Sequence, residues 1–75
     1  MKTEKHDIAI HTEFIKLEAL LKYAGVADTG GDAKQIILDG EARVNGRVCL
    51  QRGKKLYPGD KAELEGLELT VISEE

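Results

Sequence analysis

Apolar residues in this chain change their spacing twice, first after Ile10 and again at Gly40. Phe14, Leu17, Leu20, Leu21 and Ala24 recur at helical intervals, the pattern of an amphipathic helix that buries one stripe. Thr12 is its predicted N-cap and Gly25 its predicted stop. A second helix is predicted to open at Thr29, a hydroxyl cap, with Asp32 in its first turn near the positive helix end. Ala33, Ile36 and Ile37 form its apolar face, and Gly40 after Asp39 ends it. Ahead of both helices, Ile8 and Ile10 alternate with polar residues, the period-two signal of a short half-buried strand.

Behind them, "ARVNGRVCL" sets two β-branched runs around Asn45-Gly46, the strongest local hairpin signal. A two-residue turn there pairs Val44 with Arg47 and sends Val48 to the opposite face. A three-residue loop instead pairs Val44 with Val48 and Ala42 with Leu50, which keeps one apolar row together, and this register is the expected one. Pro58-Gly59 predicts a type II turn. Ala62 and Leu64 then read as one strand, and Leu67, Leu69 and Val71 as another, with Gly66 between them. The expected fold class is α+β: two helices packed on one side of a small, largely antiparallel sheet.

Seventy-five residues make a single domain, 1–75, and folding at this size buries only about 60% of the unfolded chain's surface. A deep pocket is not expected. The single cysteine, Cys49, has no internal disulfide partner, and no apolar run reaches the length of a signal or membrane segment. A reducing, cytoplasmic location follows as the expectation, with no membrane association.

Net charge is -3, yet the charge is not spread evenly. Residues 43–61 hold six cations (Arg43, Arg47, Arg52, Lys54, Lys55 and Lys61) against Asp60 alone, while residues 62–75 hold five glutamates and no cation. Such a chain is dipolar. It is not expected to coat nucleic acid indiscriminately, but it can present a local anion-binding face. The acidic block is expected to fold back over the basic one and limit non-specific binding.

Enzymatic constellations are poor. His6 and His11 fall on opposite faces of a predicted strand and its lead-in, so they make no metal pair. Cys49 sits in an apolar run without a base beside it and reads as an inert core thiol. Ser73 is the one serine. No catalytic residue, metal or cofactor is expected. "TGG" at Thr29, Gly30 and Gly31 opens a helix, where free N–H groups favour anions, and Lys34 and Gln35 extend the same edge one turn later. The run "RGKK" places Arg52, Lys54 and Lys55 close to the cations of neighbouring predicted strands, a grouping that phosphate backbones reward through counterion release.

From Phe14 to about Leu64, "FIKLEALLKYAGVADTGGDAKQIILDGEARVNGRVCLQRGKKLYPGDKAEL" resembles the S-four type RNA-binding domain, and "TGGDAK" and "QRGKKL" resemble its small stand-alone YaaA-like members, with YbcJ-like proteins as more distant kin. The resemblance implies an alpha-L motif, two helices docked on structured RNA and continued by a β-ribbon whose basic residues touch phosphates. Carried over by position, the implied RNA contacts are Lys16 at the first helix start, and Thr29, Gly30, Gly31, Lys34 and Gln35 at the second. Arg43, Asn45 and Arg47 follow around the hairpin, then Arg52, Lys54 and Lys55. Family members often carry an arginine at the first helix start and a Ser-Arg pair at the second, where this chain reads "IKLE" and "TGGDAK"; Gln51 stands where the stand-alone branch has arginine.

The implied function is a non-catalytic, monomeric module for ribosomal or transfer RNA, with ribosomal proteins as further partners. It reads shape and phosphates rather than sequence, since only Tyr23 and Tyr57 are available as stacking platforms. A protein-protein adaptor using the same basic block on the ribosome is the alternative, because both partners would engage the same charges; nuclease sensitivity of copurifying material separates the two.

Overall fold

The computed structural model describes residues 3–64 and 66–74; Glu65 and Glu75 of the acidic block lie outside the described residues. Strand β1 (Glu4–Ile10) is followed by the two-residue strand β2 (Ile15–Lys16), helix α1 (Leu17–Tyr23) and helix α2 (Gly30–Leu38). Strands β3 (Arg43–Val44), β4 (Arg47–Val48), β5 (Lys55–Leu56), β6 (Lys61–Leu64) and β7 (Leu67–Ser73) complete the chain. The main sheet has the order β1-β7-β6-β3-β4, and β2 with β5 forms a separate two-stranded ladder. Among the described residues, only the β1–β7 pairing is parallel. The fold is α+β, as the element pattern predicts.

Period-two alternation gives the main sheet one core face and one open face. Val44, Ala62, Leu69 and Val71 are buried from the sheet, and Leu17, Leu20, Leu21, Ala33 and Ile37 meet them from the helices. Directly paired residues share a face, so Val48, Arg43, Glu63, Glu68 and Lys5 form one row across the open face. Both helices end as predicted. Gly25 (φ 78°) and Gly40 (φ 77°) adopt the left-handed conformation, with Gly25 N–H donating to Lys22 O and Val26 N–H to Leu21 O, and Gly40 N–H to Ile37 O and Glu41 N–H to Ile36 O. These are Schellman closures, which satisfy carbonyls that the helix leaves unpaired.

Two local expectations are corrected. Helix α1 starts at Leu17 and not near Thr12, because Ile15-Lys16 is drawn into an extended ladder with Leu56 and Lys55. Thr12 Oγ1 donates to Phe14 O at 2.9 Å and caps nothing. The hairpin takes the two-residue turn: Val44 pairs with Arg47 and Arg43 with Val48. Asn45 (φ 52°) and Gly46 (φ 86°) both lie in the left-handed region, which suits a type I′ turn to the twist of its strands. That geometry prevails over the continuous apolar row, at the cost of leaving Val48 55% and Leu50 56% exposed.

Candidate functional site

Helix α1 lacks a side-chain cap, and a loop supplies what the cap would. Leu17 N–H donates to Lys54 O at 2.8 Å and Glu18 N–H to Arg52 O at 3.1 Å, while Lys54 N–H closes the loop on Gln51 O at 3.1 Å. Backbone carbonyls of the basic run therefore satisfy the first helical N–H groups. This clamps the run to the helix start and leaves its side chains in solvent. Lys16 and Lys55 are direct antiparallel partners, two like charges on one face of the small ladder. Arg52 Nε is 4.0 Å from Glu18 Oε2, an exposed pair of little energetic weight.

An aromatic pair adjoins the lysines. The Phe14 and Tyr57 rings lie 5.8 Å apart, tilted by 51°, and Lys55 Nζ is 4.8 Å from the Phe14 centroid, within cation–π range. Sequence reasoning assigns Phe14 to a helix stripe and so misses this contact. The signal that finds it is the β-branched Ile15 followed by Lys16 opposite "KL", a short strand pair. Arg47 and Lys54 meet in a shallow depression whose floor includes Val44 and Cys49. Cys49 is half-buried, its thiol 3.6 Å from Gln51 O.

Asn45 stands at the head of the hairpin with its amide engaged at both ends. Its Nδ2 donates to Asp60 Oδ1 at 3.2 Å, its Oδ1 accepts from Lys61 N–H at 3.0 Å, and its own N–H reaches Lys61 O at 2.9 Å. Asp60 Oδ2 in turn accepts from Tyr57 N–H at 2.8 Å. Asn45 thus ties the hairpin to the Tyr57-Pro58-Gly59-Asp60 turn.

The remaining sequence candidates lie elsewhere. Arg43 is on the open sheet face opposite Glu63 and shares a depression with Glu41 and Glu63. Thr29 Oγ1 accepts from Asp32 N–H at 3.1 Å, so it acts as the predicted helix cap. Gln35 Nε2 donates to Asp39 Oδ1 at 2.8 Å and lines a depression with Asp28, Asp32, Asp39 and Glu41. Gly30, Gly31 and Lys34 are exposed on α2. Structure therefore joins Lys16, Arg52, Lys54 and Lys55 around the start of α1, with Arg47 beside Lys54, and sets Arg43 and Gln35 among carboxylates.

Among the described residues, the glutamates of the acidic block, Glu63, Glu68 and Glu74, are held away from these cations. Glu63 and Glu68 are directly opposed on the open sheet face, and Glu74 is tied to the end of β1, its N–H donating to Ile10 O at 2.8 Å and its Oε2 lying 3.3 Å from His11 Nδ1. Strand pairing holds these glutamates on β6 and β7 or just beyond, which removes the freedom a fold-back needs. Among the described residues, no group of three or more His, Cys, Asp or Glu is placed to hold a metal ion, and no helix is long and apolar enough to cross a membrane.

Two helices continued by a β-hairpin are the arrangement that the sequence resemblance implies, and the S4 domain model matches residues 8–72. The chain belongs to the S4 domain family. Within the family it is similar to the probable ribosome maturation protein RlbA of Bacillus subtilis (strain 168), with 46% identity over 59 residues, 79% of this chain and 83% of that protein. The family match extends beyond residues 14–64, on which the sequence resemblance rests, into β1 and β7.

Proposed function

We propose that this chain is a non-catalytic, cytoplasmic RNA-binding module that engages structured ribosomal RNA during ribosome maturation. One observation carries the reading: Lys16 and Lys55 are held side by side in a ladder, the loop bearing Arg52 and Lys54 is clamped to the helix start next to them, and Arg47 shares a depression with Lys54. Directly opposed like charges weaken a strand pair, and a polyanion laid across them turns that repulsion into attraction. Membership of the S4 family and similarity to a probable ribosome maturation protein favour ribosomal over transfer RNA. The contacts are to phosphates and shape, as suits A-form helices whose deep groove side chains cannot read.

The test is fluorescence anisotropy with a folded ribosomal RNA fragment and a single-stranded control, at two salt concentrations, comparing the native chain with a Lys54→Glu, Lys55→Glu variant. Tighter binding to the folded fragment, lost in the variant, is expected, with log affinity falling against log salt by about 0.7–0.9 per neutralised phosphate. A well-folded native chain that binds neither RNA would overturn the reading in favour of a protein partner for the same cations.

A further inference from the structure

Tyr57 is 43% exposed although its ring packs against Phe14, and little of its position is left free. Its N–H is held by Asp60 Oδ2 at 2.8 Å, its carbonyl accepts from Asp60 N–H at 2.8 Å, and Asp60 is itself anchored by Asn45. Proline follows it, which restricts its backbone to extended conformations. Phe14, half-buried, backs the ring, and Lys55 sits over Phe14 beside Lys16. A pre-positioned, solvent-facing aromatic bordered by lysines meets the two requirements of an unpaired nucleotide: a π-face for the base and a cation for its phosphate. Tyr23, though more exposed at 68%, stands beside β1 in depressions lined by His6, Asp7 and Ile8 and by Ile10, His11 and Ile15, neither of which includes a lysine.

We infer that Tyr57 is a stacking platform for one unpaired base, so that the RNA taken by this surface is a helix interrupted by a bulged or looped-out nucleotide, its phosphate held by Lys16 and Lys55. The inference rests on the proposed RNA-binding role and adds to it a preference that cations alone do not give. Stacking tolerates any base, since each has a π-face; the surface selects for the presence of an unpaired base and not for its identity.

The experiment uses an RNA hairpin carrying a single 2-aminopurine bulge and the same hairpin with an abasic bulge, titrated with the native chain, Tyr57→Phe and Tyr57→Leu. Native chain and Tyr57→Phe are expected to quench the 2-aminopurine and to bind the base-bearing hairpin more tightly than the abasic one. Tyr57→Leu is expected to lose roughly 5- to 150-fold on the base-bearing hairpin, the range that follows from about 1–3 kcal/mol per stacked base, and to bind the abasic hairpin as the native chain does. Equal losses on both hairpins would reduce Tyr57 to a packing residue, and no loss on either, or unquenched 2-aminopurine, would also overturn the inference. Failure of the native chain to bind both hairpins and the folded ribosomal fragment would overturn the RNA reading itself, and this inference with it.

Discussion

Lys16 and Lys55 stand opposite one another in a ladder only two residues long, and opposed like charges cost a strand pair roughly 0.2–1 kcal/mol relative to a neutral one. A Lys16→Glu substitution is therefore expected to raise the thermal midpoint slightly while weakening binding to the folded RNA fragment, opposite signs that calorimetry and anisotropy read separately. Arg43 provides the contrast. It lies in the row Arg43, Glu63, Glu68, Lys5 across the open sheet face, where the cations at the ends offset the two central carboxylates. Arg43→Gln should leave RNA affinity within about twofold of native at moderate salt, because a cation already surrounded by carboxylates adds little attraction for an anion beyond a Debye length. A loss as large as that of the Lys54→Glu, Lys55→Glu variant would extend the surface to the open face. At Asn45 the side chain bridges to Asp60 and Lys61. Asn45→Gly keeps the left-handed backbone but deletes both bonds, for an expected loss of about 1–2 kcal/mol in a urea titration.

The elements owe their boundaries to glycine and to backbone pairing in different measure. Gly40 is the C′ residue of α2 at φ 77°, and an added Cβ would meet Val48 Cγ1 at 3.8 Å and Leu50 Cδ2 at 3.9 Å, ordinary contact distances. Gly40→Ala is thus expected to cost about 1–2 kcal/mol from the backbone alone; a denaturant midpoint unchanged from native would show that the helix end relaxes. Such local signals were legible in the sequence: Thr29 as cap, Gly25 and Gly40 as stops, Asn45-Gly46 as hairpin and Pro58-Gly59 as turn all depend on residues within a few positions of each other. The start of α1 was not legible, because what holds Ile15-Lys16 extended is Lys55-Leu56, about forty residues away, and what satisfies the helix N–H groups is the loop before it. Helical spacing from Phe14 was real but ran one turn too far. The hairpin register misled for another reason: an apolar row is a preference of the sheet face, whereas positive φ at two successive residues dictates a two-residue turn. At the site, the charges of residues 43–61 were visible as a run, but alternation along β3 and β4 sends Arg43 and Arg47 to opposite faces, a division that counting charges does not reveal.

Over the whole molecule, edges and charge decide what the domain can join. β1 is an outer strand of the main sheet, and the exposed Lys5, His6 and Asp7 along it disfavour pairing with a second chain. β4, the other edge, is only two residues long. Light scattering is therefore expected to return the mass of a single chain; a concentration-dependent dimer abolished by a proline within β1 would show the edge in use. Charge separation has a parallel consequence for RNA. Cations cluster at the start of α1, whereas Asp28, Asp32, Asp39 and Glu41 gather beside α2 and Glu63 and Glu68 face each other on the open sheet. A polyanion is attracted to one side and repelled from the others, so a net charge of -3 orients binding and does not prevent it. Glu63→Gln with Glu68→Gln should strengthen binding to the single-stranded control more than to the folded fragment, because it removes repulsion from a face that lies outside the proposed RNA surface. The ratio of the two affinities, measured at low salt where screening is weakest, is expected to fall. An equal gain for both RNAs would mean that the glutamates act only through net charge, and that their position on the open face contributes nothing to selectivity.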